Sequence, residues 1–345
     1  AGGRGLRMEE ARAKALQEPL LSAKGHRRSM TRWQLPVSAP VTVCIVAYVA
    51  SGVSQPLLMT AVRYAGMADP ACQLYIIPYY VGMSFAGLLS VCQAGPRWRG
   101  LPLYRCVLVS LVGLTAQTLN WTGNMMAGSA IFSIVYSSAT VWSAVLSRIL
   151  LQRVLTIWQW CAVVGVVGGV ALASGGARKE GDKVLLGALM VFIGAGLHST
   201  CHVLSEFIGV RGVRIPPHVN CCVQGLTCLS VATCWQLSFT MGHFERIADP
   251  MEEAGTSASV GFALLAGLAM GNFVHASTFF YLLARIGAVS TSVLKALQAV
   301  IVFYLSHILY CSRDEVQCFT SAKGASLVVV VAGVLSYARA TALAS

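Results

Sequence analysis

Val289-Ser290-Thr291-Ser292-Val293-Leu294-Lys295-Ala296-Leu297-Gln298-Ala299-Val300-Ile301-Val302-Phe303-Tyr304-Leu305-Ser306-His307-Ile308-Leu309 is a long apolar run with one formal charge near its middle. A run of roughly 17–25 apolar residues is long enough to cross the hydrocarbon core of a bilayer as an α-helix. A cation at that depth costs about 2.5–3.5 kcal/mol on insertion scales, so a lysine there marks a functional position. Ser292, Lys295 and Gln298 recur every third residue and form a polar stripe on one helix face. Lipid penalises such a stripe, whereas a water-accessible cavity does not. Lys295 is therefore the first candidate site residue, with Ser292 and Gln298 beside it.

Working outward, the same kind of run recurs, and spans are expected near 37–62, 72–92, 101–121, 124–150, 156–174, 184–207, 217–240, 257–282, 286–310 and 319–341. Only 11% of the residues are charged, against about 25% in soluble domains, which excludes a soluble globular protein. The runs are too long and too uniformly apolar for barrel strands. The expected fold is an all-α integral membrane protein with ten transmembrane helices. The twelve cysteines are scattered through apolar runs, and read as small membrane-core residues rather than disulfide partners or zinc ligands.

The segment Leu305-Ser306-His307-Ile308-Leu309 has an echo in Leu146-Ser147-Arg148-Ile149-Leu150, 159 residues earlier, and the same offset pairs Gly287 with Gly128. The echoed piece belongs to the fourth expected span in one copy and the ninth in the other. Two halves of five helices follow, and an odd number per half inserts the second copy upside down. The expected organisation is a basic tail over 1–36, a first repeat over 37–174, a connector over 175–183, a second repeat over 184–341 and a short tail over 342–345. Inverted repeats are the architecture of many secondary transporters, with the substrate site at the midplane between the halves.

The net charge of +12 is explained by its placement. Eight basic residues lie between Arg4 and Arg32, and the connectors on the tail side add Arg97, Arg99, Arg105, Arg148, Arg153, Arg211, Arg214 and Arg285 with no acidic residue. The acidic residues Asp69, Asp249, Glu252, Glu253, Asp314 and Glu315 fall on the other side. This bias places both termini in the cytosol and makes anionic lipid, not nucleic acid, the partner of the tail. The polar tail shows no cleavable leader pattern, and Met8 before Glu9-Glu10 reads as a natural start. No nucleophile elbow, phosphate loop or dinucleotide fingerprint occurs, so an enzyme is not expected.

Further candidates sit inside the expected spans. Ser51-Gly52-Val53-Ser54-Gln55-Pro56 interrupts the first, and a proline there opens backbone groups and bends the helix, either as a packing kink or to line a site with Gln55. Asn272, His275 and Thr278 share a face of the eighth span, and Gln117, Asn120 and Asn124 mark the third-to-fourth junction. Tyr136 stands 159 residues before Lys295, at the matching position of the repeat. Interhelical hydrogen bonding is the competing role for the neutral residues among these. His198, His202 and Glu206 align on the sixth span. Their spacing suits a metal ligand pair or an intramembrane catalytic site, the one hint of an intramembrane enzyme, which with a non-transporting membrane scaffold is the alternative to a transporter; without a matching cluster elsewhere a structural or gating role is expected, and no metal or cofactor. The small residues Gly165, Gly168 and Gly169, with Gly324, Ala325 and Gly333, suit close helix packing within one chain or a homodimer contact. Apart from Glu206, near a helix end, no acidic residue lies inside a span to pair with Lys295. A buried cation without a fixed partner is neutralised by deprotonation, water or the charge of a ligand, so a small anionic substrate is expected.

Thr291-Ser292-Val293-Leu294-Lys295-Ala296-Leu297-Gln298 resembles the ninth-span stretch of the nucleotide-sugar and phosphate-sugar carriers, a branch of the drug/metabolite transporter superfamily that includes the solute carrier 35-like and EamA-like proteins. Ile131-Phe132-Ser133-Ile134-Val135-Tyr136-Ser137-Ser138-Ala139 is similar to their fourth-span segment, with Tyr136 at their tyrosine, although those carriers often place a second lysine where Ala139 stands here. The resemblance implies an inverted-repeat bundle without metal or organic cofactor, in Golgi or another endomembrane, or in a plastid. It implies exchange of a nucleotide sugar or sugar phosphate, with Lys295 near the phosphate. The missing second lysine leaves room for the amino acids, purines, vitamins or drugs that other members carry.

Overall fold

The computed structural model describes residues 39–94, 103–150, 154–211 and 217–344 together with Gln152; within the helices, the side chains of 205–211, 283–293 and a few other positions lie outside the description. The side chains of Ser292 and Glu206 are among the latter. The described chain is helical throughout and contains no strand. Its helices are α1 (Ala39–Tyr64), α2 (Ile76–Ala94), α3 (Leu103–Tyr136), α4 (Ala139–Leu150), α5 (Ile157–Glu180), α6 (Asp182–Arg211), α7 (Pro217–Trp235), α8 (Glu245–Glu253), α9 (Ala258–Tyr310) and α10 (Ser321–Ala344). By length and composition four stretches suffice to cross a membrane, Pro40–Tyr64, Asp182–Leu204, Ala258–Phe279 and Ser321–Leu343. A fifth is formed by α3 with α4, bent by 48° at the break between them. Large apolar side chains such as Phe262, Ile308 and Val328 point outward, more than two-thirds exposed. Water would punish that surface and lipid does not, as suits a multi-pass membrane protein.

Two of the helices fold back on themselves. In α3, Val109, Asn120 and Gly123 meet Cys201, Gly194 and Gly187 of α6 in turn, so the two run antiparallel. Beyond Gly128 the chain returns, and Phe132 stacks on Trp121 with ring centroids 6.0 Å apart. The reversal needs Gly128, whose φ of +79° is one that side-chain-bearing residues rarely adopt. A Cβ at this position would also strike the Gln317 amide. In α9, Gly261, Gly267, Gly271 and His275 approach Met67, Leu58, Ser54 and Tyr48, descending α1. Gln298, Val302 and Tyr310 then ascend it, against Tyr48, Leu57 and Tyr64. The chain therefore reverses between Leu282 and Leu294, and both limbs of α9 lie on α1. Gly287, the partner of Gly128 at the offset of 159, falls inside that segment.

The expected kink at Pro56 does not break its helix, since α1 continues through it. The Pro56 carbonyl accepts from Thr60 Oγ1 at 3.1 Å and Asn124 Nδ2 at 3.2 Å, tying α1 to α3. The small residues of α5 and α10 meet one another within the chain: Gly333 packs on Val166 and Ala162, and Gly169 on Val330 and Ser326. Gln159 donates to Thr341 at 3.0 Å across the same antiparallel pair.

One reading of the cysteines is corrected. Cys311 and Cys318 form a disulfide, with Cα atoms 4.5 Å apart. The expectation failed because the pair falls just outside the apolar runs, where a short 3-10 turn over Glu315–Gln317 returns the chain on itself. Ten other described cysteines are free.

Candidate functional site

Lys295 lies on the second limb of α9, half-buried, with its Nζ 5.8 Å from the centroid of the Phe279 ring on the first limb. The hairpin in α9 makes this contact, since residues sixteen apart on one straight helix would be about 24 Å from each other. Phe279 is also near two other rings. Tyr48 of α1 lies 6.1 Å away, and His202 of α6 lies 6.5 Å away in a stacked arrangement. Tyr48 in turn stacks on His275 at 4.6 Å, and His275 Nδ1 lies 3.4 Å from Ser51 Oγ. From His202 the series continues to His198 at 4.9 Å, and His198 Nδ1 is 3.3 Å from the Tyr136 hydroxyl. Tyr136 stacks on Phe132 and Phe132 on Trp121, which meets Tyr79 edge-on. Five elements, α1, α2, α3, α6 and α9, thus supply one continuous wall of aromatic and imidazole rings ending at an amine.

Its electrostatics are one-sided. Among the described residues no carboxylate lies within ion-pair distance of Lys295; the described ion pairs are Arg63–Asp314 at 2.9 Å and Arg246–Asp69 at 3.0 Å, both at one end of the bundle. The Tyr48 hydroxyl is buried without a hydrogen-bond partner among the described residues. His202 keeps solvent-accessible surface beside the Phe279 ring. Cation–π contact with Phe279 steadies the ammonium but supplies no counter-charge.

The other sequence candidates divide. Gln298 is buried and donates to the Tyr48 carbonyl at 3.0 Å, filling the space above Gly52. Gln55 donates to Asn272, and Asn272 to the Tyr79 carbonyl at 2.6 Å, so these two brace α1, α2 and α9 one turn from the rings. Asn120 is buried against Gly194 with both amide atoms unpartnered. Ser292 lies outside the described side chains. Sequence reasoning passed over Tyr48 and Phe279, which look like any other aromatic in an apolar run, and set His198 and His202 aside as structural. Their spacing was visible, but their position beside Tyr136 and Phe279 is a tertiary fact.

At the opposite end of the bundle, polar side chains tie the helices together. Asp314 accepts from Arg63 and from the Tyr64 hydroxyl, Tyr310 donates to the Leu57 carbonyl, and Gln317 joins Ser129 and Ser306 beside Gly128. A cavity of about 230 Å³ at this end is lined by Arg63, Ala68, Pro70, Thr122, Met125 and Met126. It is smaller than most organic-ligand sites, its one cation is already paired, and it does not include Lys295.

A family model described as the triose-phosphate transporter family matches residues 72–338. The chain belongs to that family. The family is one of membrane transporters within the superfamily that the ninth-span and fourth-span motifs resemble. A solved structure, described only as the crystal structure of a protein, superposes with a TM-score of 0.57 at 17% identity, over 88% of this chain and 98% of the other. At that identity the likeness shows a shared fold. A search of curated proteins finds no match.

Proposed function

We propose that this member of the triose-phosphate transporter family moves a small anionic organic metabolite, a nucleotide sugar or a sugar phosphate, across an endomembrane by alternating access, in exchange for a second anion. The observation that carries the reading is Lys295, an amine among neutral rings with no described carboxylate in reach. Removing a charge from water costs several kcal/mol unless another charge answers it, and a phosphate does so directly. The ring wall from Phe279 to Trp121 gives the remainder of such a substrate a surface to stack on. Tyr136 and His275 are proposed as substrate contacts along the ring wall that ends at the amine, with Gln298, Asn272, Gln55, Asn120 and Ser292 supporting the cavity. No catalytic role is assigned to any of them.

In this reading the end tied by Arg63–Asp314 is one gate, and the two hairpins in α3 and α9 are the symmetric pieces of an inverted repeat of ten spans. The charge bias puts both termini in the cytosol and the 311–318 loop on the far side. A disulfide there fits an oxidising lumen, which favours the secretory pathway over a reducing compartment.

The test is exchange in proteoliposomes loaded with nucleotide sugars or sugar phosphates. Wild type is expected to exchange at least one of them, and Lys295→Ala to lose that activity while retaining its fold. Exchange that survives the substitution contradicts the reading. Transport of neutral or cationic solutes alone would instead assign the ring wall to a different cargo.

A further inference from the structure

We propose that His198 and His202 form a second, protonatable half of the anion site, so that the substrate's phosphate is taken up together with a proton. The inference rests on the reading of Lys295 as an anion contact. Its own ground is the placement of the two imidazoles. They stand one turn apart on α6 with ring centroids 4.9 Å apart. His202 stacks with the same Phe279 ring that Lys295 caps, and it remains solvent-accessible. His198 is held by the Tyr136 hydroxyl at 3.3 Å, which fixes the ring and leaves its other nitrogen for a further partner. An anion reaching Lys295 therefore arrives beside two imidazoles.

The groups facing the pair make a carboxylate-free environment among the described side chains. α3 contributes Tyr136, and Cys106 stands on the same helix one turn before Val109, whose carbonyl meets Cys201. α9 contributes Lys295 and His275, and α1 contributes Tyr48. On α6 itself Cys201 turns away to the Val109 carbonyl, and Asp182 and Lys183 lie at the other end of the helix. Arg148 of α4 and Cys161 of α5 are exposed on the outside. The Glu206 side chain lies outside the description. With Lys295 already positive, a second fixed cation at this spot would repel it in the empty protein. Imidazole avoids that cost, because it is neutral near pH 7 and becomes a cation and a strong donor once an anion is present. The site is thereby matched to a ligand carrying more than one negative charge. Where a second lysine is missing after Tyr136, at Ala139, these rings supply the charge from the facing helix.

The linkage has a definite sign. If anion binding takes up one proton, affinity rises as pH falls, by at most about tenfold per pH unit. The probe must not itself titrate, so UDP-glucose, GDP-mannose and glucose 6-sulfate are suitable, each of constant anionic charge between about pH 5.5 and 8. Affinity is measured by ligand-induced thermal stabilisation of the purified full chain at about pH 7.5 and 6.0, for wild type, His198→Gln, His202→Gln and Lys295→Ala. Wild type is expected to bind at least one probe several-fold more tightly at the lower pH. Each histidine variant should bind at both values with a flattened dependence, and Lys295→Ala should bind at neither. Binding that survives Lys295→Ala, or no binding of any probe by wild type, overturns the anion-site reading and this inference with it. Loss of binding in Lys295→Ala with an undiminished pH dependence in both histidine variants, or a wild type with none, overturns this inference alone. The unliganded melting temperature of each variant shows whether it folds.

Discussion

Lys295 has no counter-ion among the described residues, and this separates a ligand-binding lysine from a structural one. A structural cation has a carboxylate or several carbonyls around it, as Lys323 does, buried and donating to the Val316 and Cys318 carbonyls. Lys295 has the face of Phe279. Replacing an uncompensated charge with an apolar side chain of similar volume is often neutral or stabilising. Lys295→Met is therefore expected to leave the unliganded protein at least as thermally stable as wild type while removing anion binding. Thermal unfolding without ligand checks this, and a large drop in melting temperature would mean that the amine holds the fold. Lys295 was readable in the sequence because charge in an apolar run is rare and expensive. Tyr48 and Phe279 were not, because aromatic side chains are ordinary in such runs and only the hairpin in α9 brings them to the amine.

At the scale of elements, the two hairpins and the loop after α9 do the positioning. Gly128 lets α3 reverse at a left-handed φ and at the same time admits Gln317, which bonds Ser129 and Ser306. Gly128→Ala is expected to cost about 1–3 kcal/mol in backbone strain and more from the displaced amide. The check is its melting temperature beside that of Gly165→Ala, a helical position where the nearest atom to an added Cβ is 3.9 Å away, which should change little. Gly128 and Gly287 were visible as an echo in the sequence; Gly128 stands at the reversal of α3, and Gly287 falls within the stretch between Leu282 and Leu294. The disulfide was not visible in this way: two cysteines seven residues apart become partners only because the 311–318 loop turns tightly. Opening that closed loop by reduction is expected to cost roughly 2–3 kcal/mol. The loss should be absent in a Cys311→Ser/Cys318→Ser variant, whose melting temperature should not respond to reductant.

At the scale of the whole molecule, charge is concentrated at the ends and neutral rings fill the middle. At the Arg63–Asp314 end, Asp69 is partly buried, which raises its carboxyl. The Cys72 and Ala71 backbone N–H groups, at 2.7 and 2.8 Å, and the Arg246 guanidinium outweigh this and hold it below the ordinary carboxylate value of 3.8. A carboxyl depressed in the folded state contributes stability above its unfolded value, and that contribution disappears as pH falls through the folded one. The stability gap between wild type and Asp69→Asn should therefore be constant from about pH 7 to 5 and close only below 3.8. A gap that closes near neutral pH would assign the contribution to another group. The all-helical membrane class followed from composition and run length, because lipid leaves the backbone few alternatives. Which side chains face one another across the bundle did not, since that depends on helix rotation and on where α3 and α9 turn.

The central claim is that Lys295 exists for an anion. The most direct measurement is thermal stabilisation of the purified protein by a panel of nucleotide sugars, nucleoside monophosphates, sugar phosphates and amino acids, for wild type and Lys295→Ala side by side. A ligand at about one hundred times its Kd adds roughly 2.7 kcal/mol to the native state. The account predicts stabilisation of wild type by phosphate-bearing compounds and none of Lys295→Ala. Stabilisation only by neutral or cationic solutes, equal in both proteins, would contradict it.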